Sequence, residues 1–422
     1  MENAPVFTND AIVFGILMLT LAGVFYTSSV KTGFWKSFYK VVPALLMCYL
    51  LPAIFNTLGI ISAEESQLYF VASRYLLPAS LVLMTLSIDL KAIFNLGPKA
   101  LIMFFTGTIG IVIGGPLAIL LISAVSPETV GGSGPDAIWR GLATLAGSWI
   151  GGGANQAAML EIFKFNPEKY GGMVFVDIVV ANLWMAVILM GISKTDKIDK
   201  WLKADSSAIT TLKNKVQDYT AGISRNPSLA DYMIMLGLAL GAVGFAHWGA
   251  DGISAGLSNN FEVFNDKSSA LSSFTSTFFW MITISTLIGI ILSFTKAKKY
   301  EGAGASKIGS IFIYILVATI GMKMDLLMIF ENPGLIAIGL VWMTIHAGLL
   351  VGVAKLIKAP YFFLAVGSQA NVGGAASAPV VAAAFHPSLA TVGVLLAVMG
   401  YVVGTWAAYL CAVLMEVASA GV

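Results

Sequence analysis

Apolar runs of about 20 residues recur from one end of this chain to the other, and each is long enough to cross roughly 30 Å of hydrocarbon as a helix. They fall at about 11–29, 38–61, 67–88, 98–124, 137–163, 171–193, 229–249, 270–293, 304–322, 334–356, 359–385 and 388–415. Of the 422 residues, 58% are hydrophobic and 11% charged, more apolar material than soluble cores hold. The chain therefore reads as an all-α polytopic membrane protein with the lipid bilayer as its first partner. A formal net charge of +2 argues against a nucleic-acid partner. Cys48 and Cys411 lie within apolar runs, away from any metal-ligand spacing, and read as packing residues. The N-terminal MENAPVFTND lacks a basic n-region and leads straight into the first span, so it is not expected to be a cleaved signal.

Twelve segments need not mean twelve crossings. Glycine clusters interrupt two of them, GSWIGGGANQAAM at 147–159 and GSQANVGGAASAPVV at 367–381, and glycine at this density unwinds a helix. Loop charge decides how these segments run, because short cytoplasmic loops carry the Lys/Arg excess. Residues 30–40 hold three Lys and no acid; 194–228 and 296–307 each carry net +3; the segments 62–67, 126–136 and 250–268 each carry net −2. If 137–163 crossed fully, three of these loops would lie on their disfavoured side. If it enters and leaves on the external face, all of them fall on their favoured side. The expectation is thus ten transmembrane helices plus two re-entrant hairpins, with both termini external.

A weak internal repeat agrees with this count. DLKAIFNLGP at 89–98 and DLLMIFENP at 325–333 each precede one long apolar segment, one glycine-broken segment and a final span. Five crossings and one hairpin per copy make residues 1–193 and 229–422 inverted repeats, a layout of secondary transporters. The 194–228 linker, with KIDKWLKAD, reads as a cytoplasmic surface helix.

Unwound backbone in a membrane survives only where protein or a wet cavity satisfies it, so the two glycine tips are the expected binding site. At the first tip Gly151, Gly152 and Gly153 free the backbone, and Ser148, Asn155 and Gln156 offer polar side chains. At the second, Gly373 and Gly374 lie beside Ser368, Gln369, Asn371 and Ser377. Helix N-termini at the tips suit a carboxylate and freed carbonyls suit Na⁺, while Pro379 fits the first turn of the second half-helix. Asp177 is the foremost mid-span acid and is expected to carry the coupling cation, Na⁺ or H⁺, with Asn182 nearby. Glu161 suits the external vestibule, His346 a buried structural role or titration, and Arg140 snorkelling to the headgroups. Asp89 and Asp325 read as helix-end residues. No Walker A loop, HExxH, GxSxG or His/Cys cluster occurs, so neither an ATP-driven pump nor an enzyme is expected, and no cofactor beyond the coupling ion.

Through GSWIGGGANQAAM and SQANVGGAASAPVVAAAF followed by VGVLLAVMGYVVGTW, the chain resembles the YjcL-like bacterial membrane proteins, a family of unknown function, over nearly its whole length. More remotely it is similar to the superfamily of sodium:bile acid symporters, cation:proton antiporters and sodium:citrate symporters. The resemblance implies a bacterial cytoplasmic membrane protein and an elevator, in which a core of 98–193 and 334–415 shifts against a scaffold of 11–88 and 229–322. It also implies a homodimer. With the chemistry of the tips, the expected function is secondary transport of a small polar solute, an organic anion or zwitterion, coupled to Na⁺ or H⁺. The alternatives are a cation:proton antiporter, or a channel or transporter-like sensor. The tips here read GGGANQ and GGAASA where the citrate symporters have GGxG-like sequences.

Overall fold

The computed structural model describes residues 5–39, 42, 44–86, 93–94, 96–204, 226–262, 274–324, 332–386 and 389–420. Asp89, Asp325 and most of the repeat motif they open lie outside the described residues. Among the described residues the fold is helical, with one isolated bridge between Phe7 and Ile61. The helices are α1 (Asp10–Ser29), α2 (Gly33–Phe38), α3 (Ala44–Thr57), α4 (Leu68–Leu86), α5 (Pro98–Ser123), α6 (Ile138–Ile162), α7 (Tyr170–Ile192) and α8 (Thr195–Leu202). They continue with α9 (Leu229–Asn260), α10 (Thr277–Ser293), α11 (Ala305–Gly321), α12 (Gly334–Leu356), α13 (Tyr361–Val372), α14 (Gly374–Phe385) and α15 (Ala390–Ser419).

Seven of these, α1, α4, α5, α7, α9, α12 and α15, are long and apolar enough to cross a membrane. An eighth is counted if α10 is joined to the 3₁₀ segment Lys296–Ala303, which bends away from it by 97°. α3 and α11 are apolar but short; α11 matches the run at 304–322 to within a residue at each end, whereas α3 ends at Thr57, before the run at 38–61 does. At α3 the chain turns at Gly59 (φ +68°), where the amides of Gly59 and Ile60 close onto Asn56 and Phe55 carbonyls.

Why apolar helices pack here at all is visible in α1. Its buried residues Val13, Leu17, Leu21 and Val24 form one stripe at helical spacing, while Ile12, Leu19 and Tyr26 on other faces are equally apolar and exposed. A helix apolar all round with one protein-facing stripe is built to face lipid elsewhere. Asn9 caps its start, its side chain accepting from the amides of Ala11 (2.9 Å) and Ile12.

The packing is reciprocal between the two halves of the chain. α4 packs on α11; α3 packs on α11 as α10 does on α4; and α1 lies on α3 and α11 as α9 lies on α10 and α4. α5 and α12 form a second centre, flanked by α6, α7, α13 and α15, and α14 packs on α15, α13, α7 and α6.

Candidate functional site

Two segments double back on themselves. A straight 25-residue helix would hold the ends of α6 some 36 Å apart. Instead the rings of Trp139 and Phe163 meet edge to face, centroids 5.5 Å apart, and Arg140 donates to the Phe163 carbonyl at 2.5 Å. The reversal is at Gly152, whose φ of +74° and ψ of −173° only glycine adopts without strain. α13 and α14 do the same around Gly374 (φ +55°), so that Tyr361 and Phe362 at one end meet Phe385 at the other, with centroids 5.8 and 5.3 Å apart.

α15 joins the two tips. A Cβ on Gly400 would strike the Ile150 carbonyl at 2.5 Å, and one on Gly404 would lie 2.8 Å from the Gly151 Cα. About two turns towards its N-terminus from Gly400, Gly393 presses against the Ala378 backbone of the second tip. The two hairpins also pack directly on each other.

Asp177, on α7, is buried against the first hairpin and accepts three hydrogen bonds from it. Ser148 Oγ donates to Oδ2 at 2.7 Å and Gln156 Nε2 to the same oxygen at 3.2 Å; Trp149 Nε1 donates to Oδ1 at 2.7 Å. Ser148 and Trp149 precede the break and Gln156 follows it, so one carboxylate ties both arms. Asn155 is used from the other side, with Thr405 Oγ1 on α15 donating to its Oδ1 at 2.6 Å and its own amide donating to the Gly151 carbonyl at 2.9 Å. Gly152 and Gly153 are half-exposed and face Tyr401 and Ile313.

At the second tip Asn371 is likewise committed: Thr108 donates to it at 2.8 Å, and its amide reaches the carbonyls of Phe104 and Gly367, both at 2.9 Å. Gln369 bridges the hairpin to Ser377 Oγ at 2.8 Å, but its remaining amide atom is buried and finds no partner among the described residues. This holds whichever way the amide is turned. Gly373 and Ser377 beside it are partly open. Ser368 belongs to a relay: Trp184 Nε1 donates to its hydroxyl (2.8 Å), which reaches His346 Nε2 (2.8 Å), while His346 Nδ1 faces the Gly107 carbonyl (3.0 Å). A carbonyl can only accept, so this chain fits a neutral ring with its proton on Nδ1.

Asp177, Ser148 and Gln156 are thus brought together, as are Gln369, Gly373, Gly374 and Ser377. Asn182 is not brought to Asp177; it is exposed, and its amide donates to the Ile178 carbonyl of its own helix at 2.7 Å. Arg140 does not reach outward but caps the outgoing arm at Phe163, stacked over Trp139 at 4.7 Å. Glu161 pairs with Arg74 at 2.7 Å and accepts from the Tyr69 hydroxyl. Trp149, Thr108, Thr405 and Trp184 went unread in the sequence. An indole in mid-span, one residue after a serine, was the available signal, because a buried N–H must find an acceptor.

Among the described residues no group of three or more His, Cys, Asp or Glu could hold a metal. Oδ2 of Asp177 has both lone pairs taken and Oδ1 has one left, so a cation there would find a single free site.

The family described as "Protein of unknown function (DUF819)" matches residues 15–418, nearly the whole chain. The chain belongs to that family. It is 25% identical over 368 residues to the "Uncharacterized membrane protein YjcL" of Bacillus subtilis (strain 168), a match covering 84% of this chain and 85% of that protein. The chain is thus a polytopic helical membrane protein of the DUF819 family, and the residues at its two tips lie inside the matched region.

Proposed function

We propose that this protein is a secondary active transporter of a small polar solute, an organic anion or zwitterion, driven by Na⁺ or H⁺. The observation that carries the reading is the convergence of two doubled-back, glycine-broken helices on one helix, α15, with a buried amide atom of Gln369, in the second hairpin, left without a partner among the described residues. An unsatisfied buried polar atom costs about 1–3 kcal/mol, a cost that a bound solute or ion would remove.

In this reading α3, α10 and α11 cross with the seven long helices, making ten crossings and two re-entrant hairpins in inverted repeats, 1–193 and 229–422. Residues 98–193 and 334–415 form the moving core, 11–88 and 229–322 the scaffold, and 194–228 the cytoplasmic linker. Both termini face outward from a bacterial inner membrane, and two copies associate through their scaffolds. Transport, not catalysis, is the activity. The solute contacts Gln369, Ser377 and the backbone of Gly152, Gly153, Gly373 and Gly374. Sodium as the coupling ion would use the freed tip carbonyls; a proton would use Asp177, and by neutralising it would slacken the tie between the arms of the first hairpin.

A cation:proton exchanger with no organic substrate is the second reading, favoured by the isolation of Asp177 among neutral donors. The test is ion-dependent thermal unfolding of the detergent-purified protein in Na⁺, Li⁺ and K⁺ at several pH values, wild type against Asp177→Asn, followed by solute uptake into proteoliposomes. Ion-driven solute uptake supports the symporter. Na⁺/H⁺ exchange without any solute supports the second reading. A conductance far above carrier turnover overturns both.

A further inference from the structure

Away from the tips, where the ends of the first hairpin meet, a cavity of about 720 Å³ opens between the end of α3, the start of α4, the loop after α6 and the residues following α11. Its size suits a small molecule. Two cations face it from half-buried positions. Arg74 stands on a single π-turn, Ala72–Leu76, inside α4, a distortion that recurs at functional sites. Its guanidinium lies over Phe278 at 4.4 Å and is already engaged by Glu161, which reaches it from α6. Lys323 is held differently, its ammonium 4.0 Å over the Tyr69 ring, and among the described residues it has no carboxylate within ion-pair distance.

The carboxylates that line the same cavity are elsewhere. Glu64 and Glu168 are exposed at its mouth, and neither forms an ion pair among the described residues. Asn56 lines the cavity too, its Oδ1 taken by the Ala63 amide at 2.9 Å and its NH₂ directed to no described partner. A positive charge inside, negative charges at the rim and an amide donor in the lining match a molecule that carries its own carboxylate and its own ammonium group. A simple anion would meet Glu64 and Glu168 on entry, and a simple cation would meet Lys323 and Arg74 inside.

We propose that this cavity is a binding site for a small zwitterion of the α-amino-acid class, its carboxylate on Lys323 and Asn56 and its ammonium towards Glu64 and Glu168. The site is separate from the hairpin tips and holds whether or not the solute travels on to them.

The experiment is thermal unfolding of the full-length detergent-purified protein against the 20 L-amino acids singly, with acetate and methylamine as half-ligand probes. At least one amino acid is expected to raise Tm in a saturable way, with acetate and methylamine far weaker. Lys323→Gln, at a partly exposed position, should weaken that response roughly tenfold or more in apparent Kd, the size of one lost charge-assisted hydrogen bond, and Lys323→Arg should restore most of it. Glu64→Gln with Glu168→Gln should shift preference towards acetate. The proposal is overturned if no amino acid stabilises the protein, if acetate does so equally, or if Lys323→Gln leaves the response unchanged while Gln369→Ala removes it. In that last case the solute sits at the tips, and the transport reading stands without this site.

Discussion

Removing the carboxylate of Asp177 tests whether it ties the first hairpin together. In Asp177→Ala three donors lose their acceptor at once. Ser148 can turn its hydroxyl to a carbonyl of its own helix, as serines in helices do. The Trp149 indole N–H and the Gln156 amide, both buried, have no such local escape. At about 1–3 kcal/mol for each buried unsatisfied donor, the loss comes to ~2–6 kcal/mol, less whatever desolvation of the charge had cost. Trp149→Phe removes one donor and leaves the carboxylate with two, so it should cost ~1.5–3 kcal/mol. Asp177→Asn keeps the shape, and the Ser148 and Gln156 groups can each turn to present an oxygen, which places it between wild type and alanine. Unfolding in mixed micelles gives the ranking, and hydrogen exchange over 148–156 shows whether the opening is local to the tip. If Asp177→Ala stays within about 1 kcal/mol of wild type, or Trp149→Phe is as damaging, the three bonds are not what holds the arms.

Three other perturbations follow from the same geometry. Gly404→Ala sets a methyl 2.7 Å from the Asn155 amide and 2.8 Å from the Gly151 Cα, so it should cost ~1–3 kcal/mol and abolish solute uptake, whereas Gly237→Ala, with open space around it, should do neither. Ser368→Ala strips the Trp184 indole of its acceptor and His346 of a partner, so a destabilisation of ~1–3 kcal/mol and a shift in tryptophan emission are expected. Asp199, on α8, accepts from the Tyr361 amide at 2.7 Å and so caps the second hairpin, while burial pushes its carboxyl above the ordinary range, outweighing that bond. The folded state therefore binds the proton more tightly than the unfolded chain, and stability falls as pH rises from about 3.9 towards the raised value. Asp199→Asn should flatten that slope in an unfolding series over pH 3–6, and Asp199→Ala should cost about 1 kcal/mol as a lost cap.

The run of apolar segments was legible because lipid leaves the backbone few options: a 20-residue greasy stretch must be a helix. The reversal of 137–163 was legible through loop charge, an indirect signal, and the contact of Trp139 with Phe163 agrees with it at the level of geometry. The length of α3 was harder to read. Apolar residues continue past its last helical turn, and hydropathy cannot mark where Gly59 turns the chain. The tight seam along α15 was hidden for a related reason, since Gly393, Gly400 and Gly404 look like any small residues in a membrane helix until their neighbours are known.

The polar side chains of the tips were found by type, but their employment was not, and the difference changes what the site can do. Ser148 and Gln156 spend their donors on Asp177, Asn155 spends its amide on Thr405 and Gly151, and Asn371 spends its own on Thr108, Phe104 and Gly367. Each is a sensible ligand in one dimension, because a sequence shows which groups a segment owns and not which of them a neighbouring helix has already engaged. What remains uncommitted among the described residues is small: one amide atom of Gln369, one lone pair of Asp177 Oδ1 and the backbone beside the half-open glycines. A site so sparing in free side chains would recognise its solute largely through backbone groups and shape. Substituting Gln369 should then change affinity sharply, whereas substituting Asn155 or Asn371 should first cost stability.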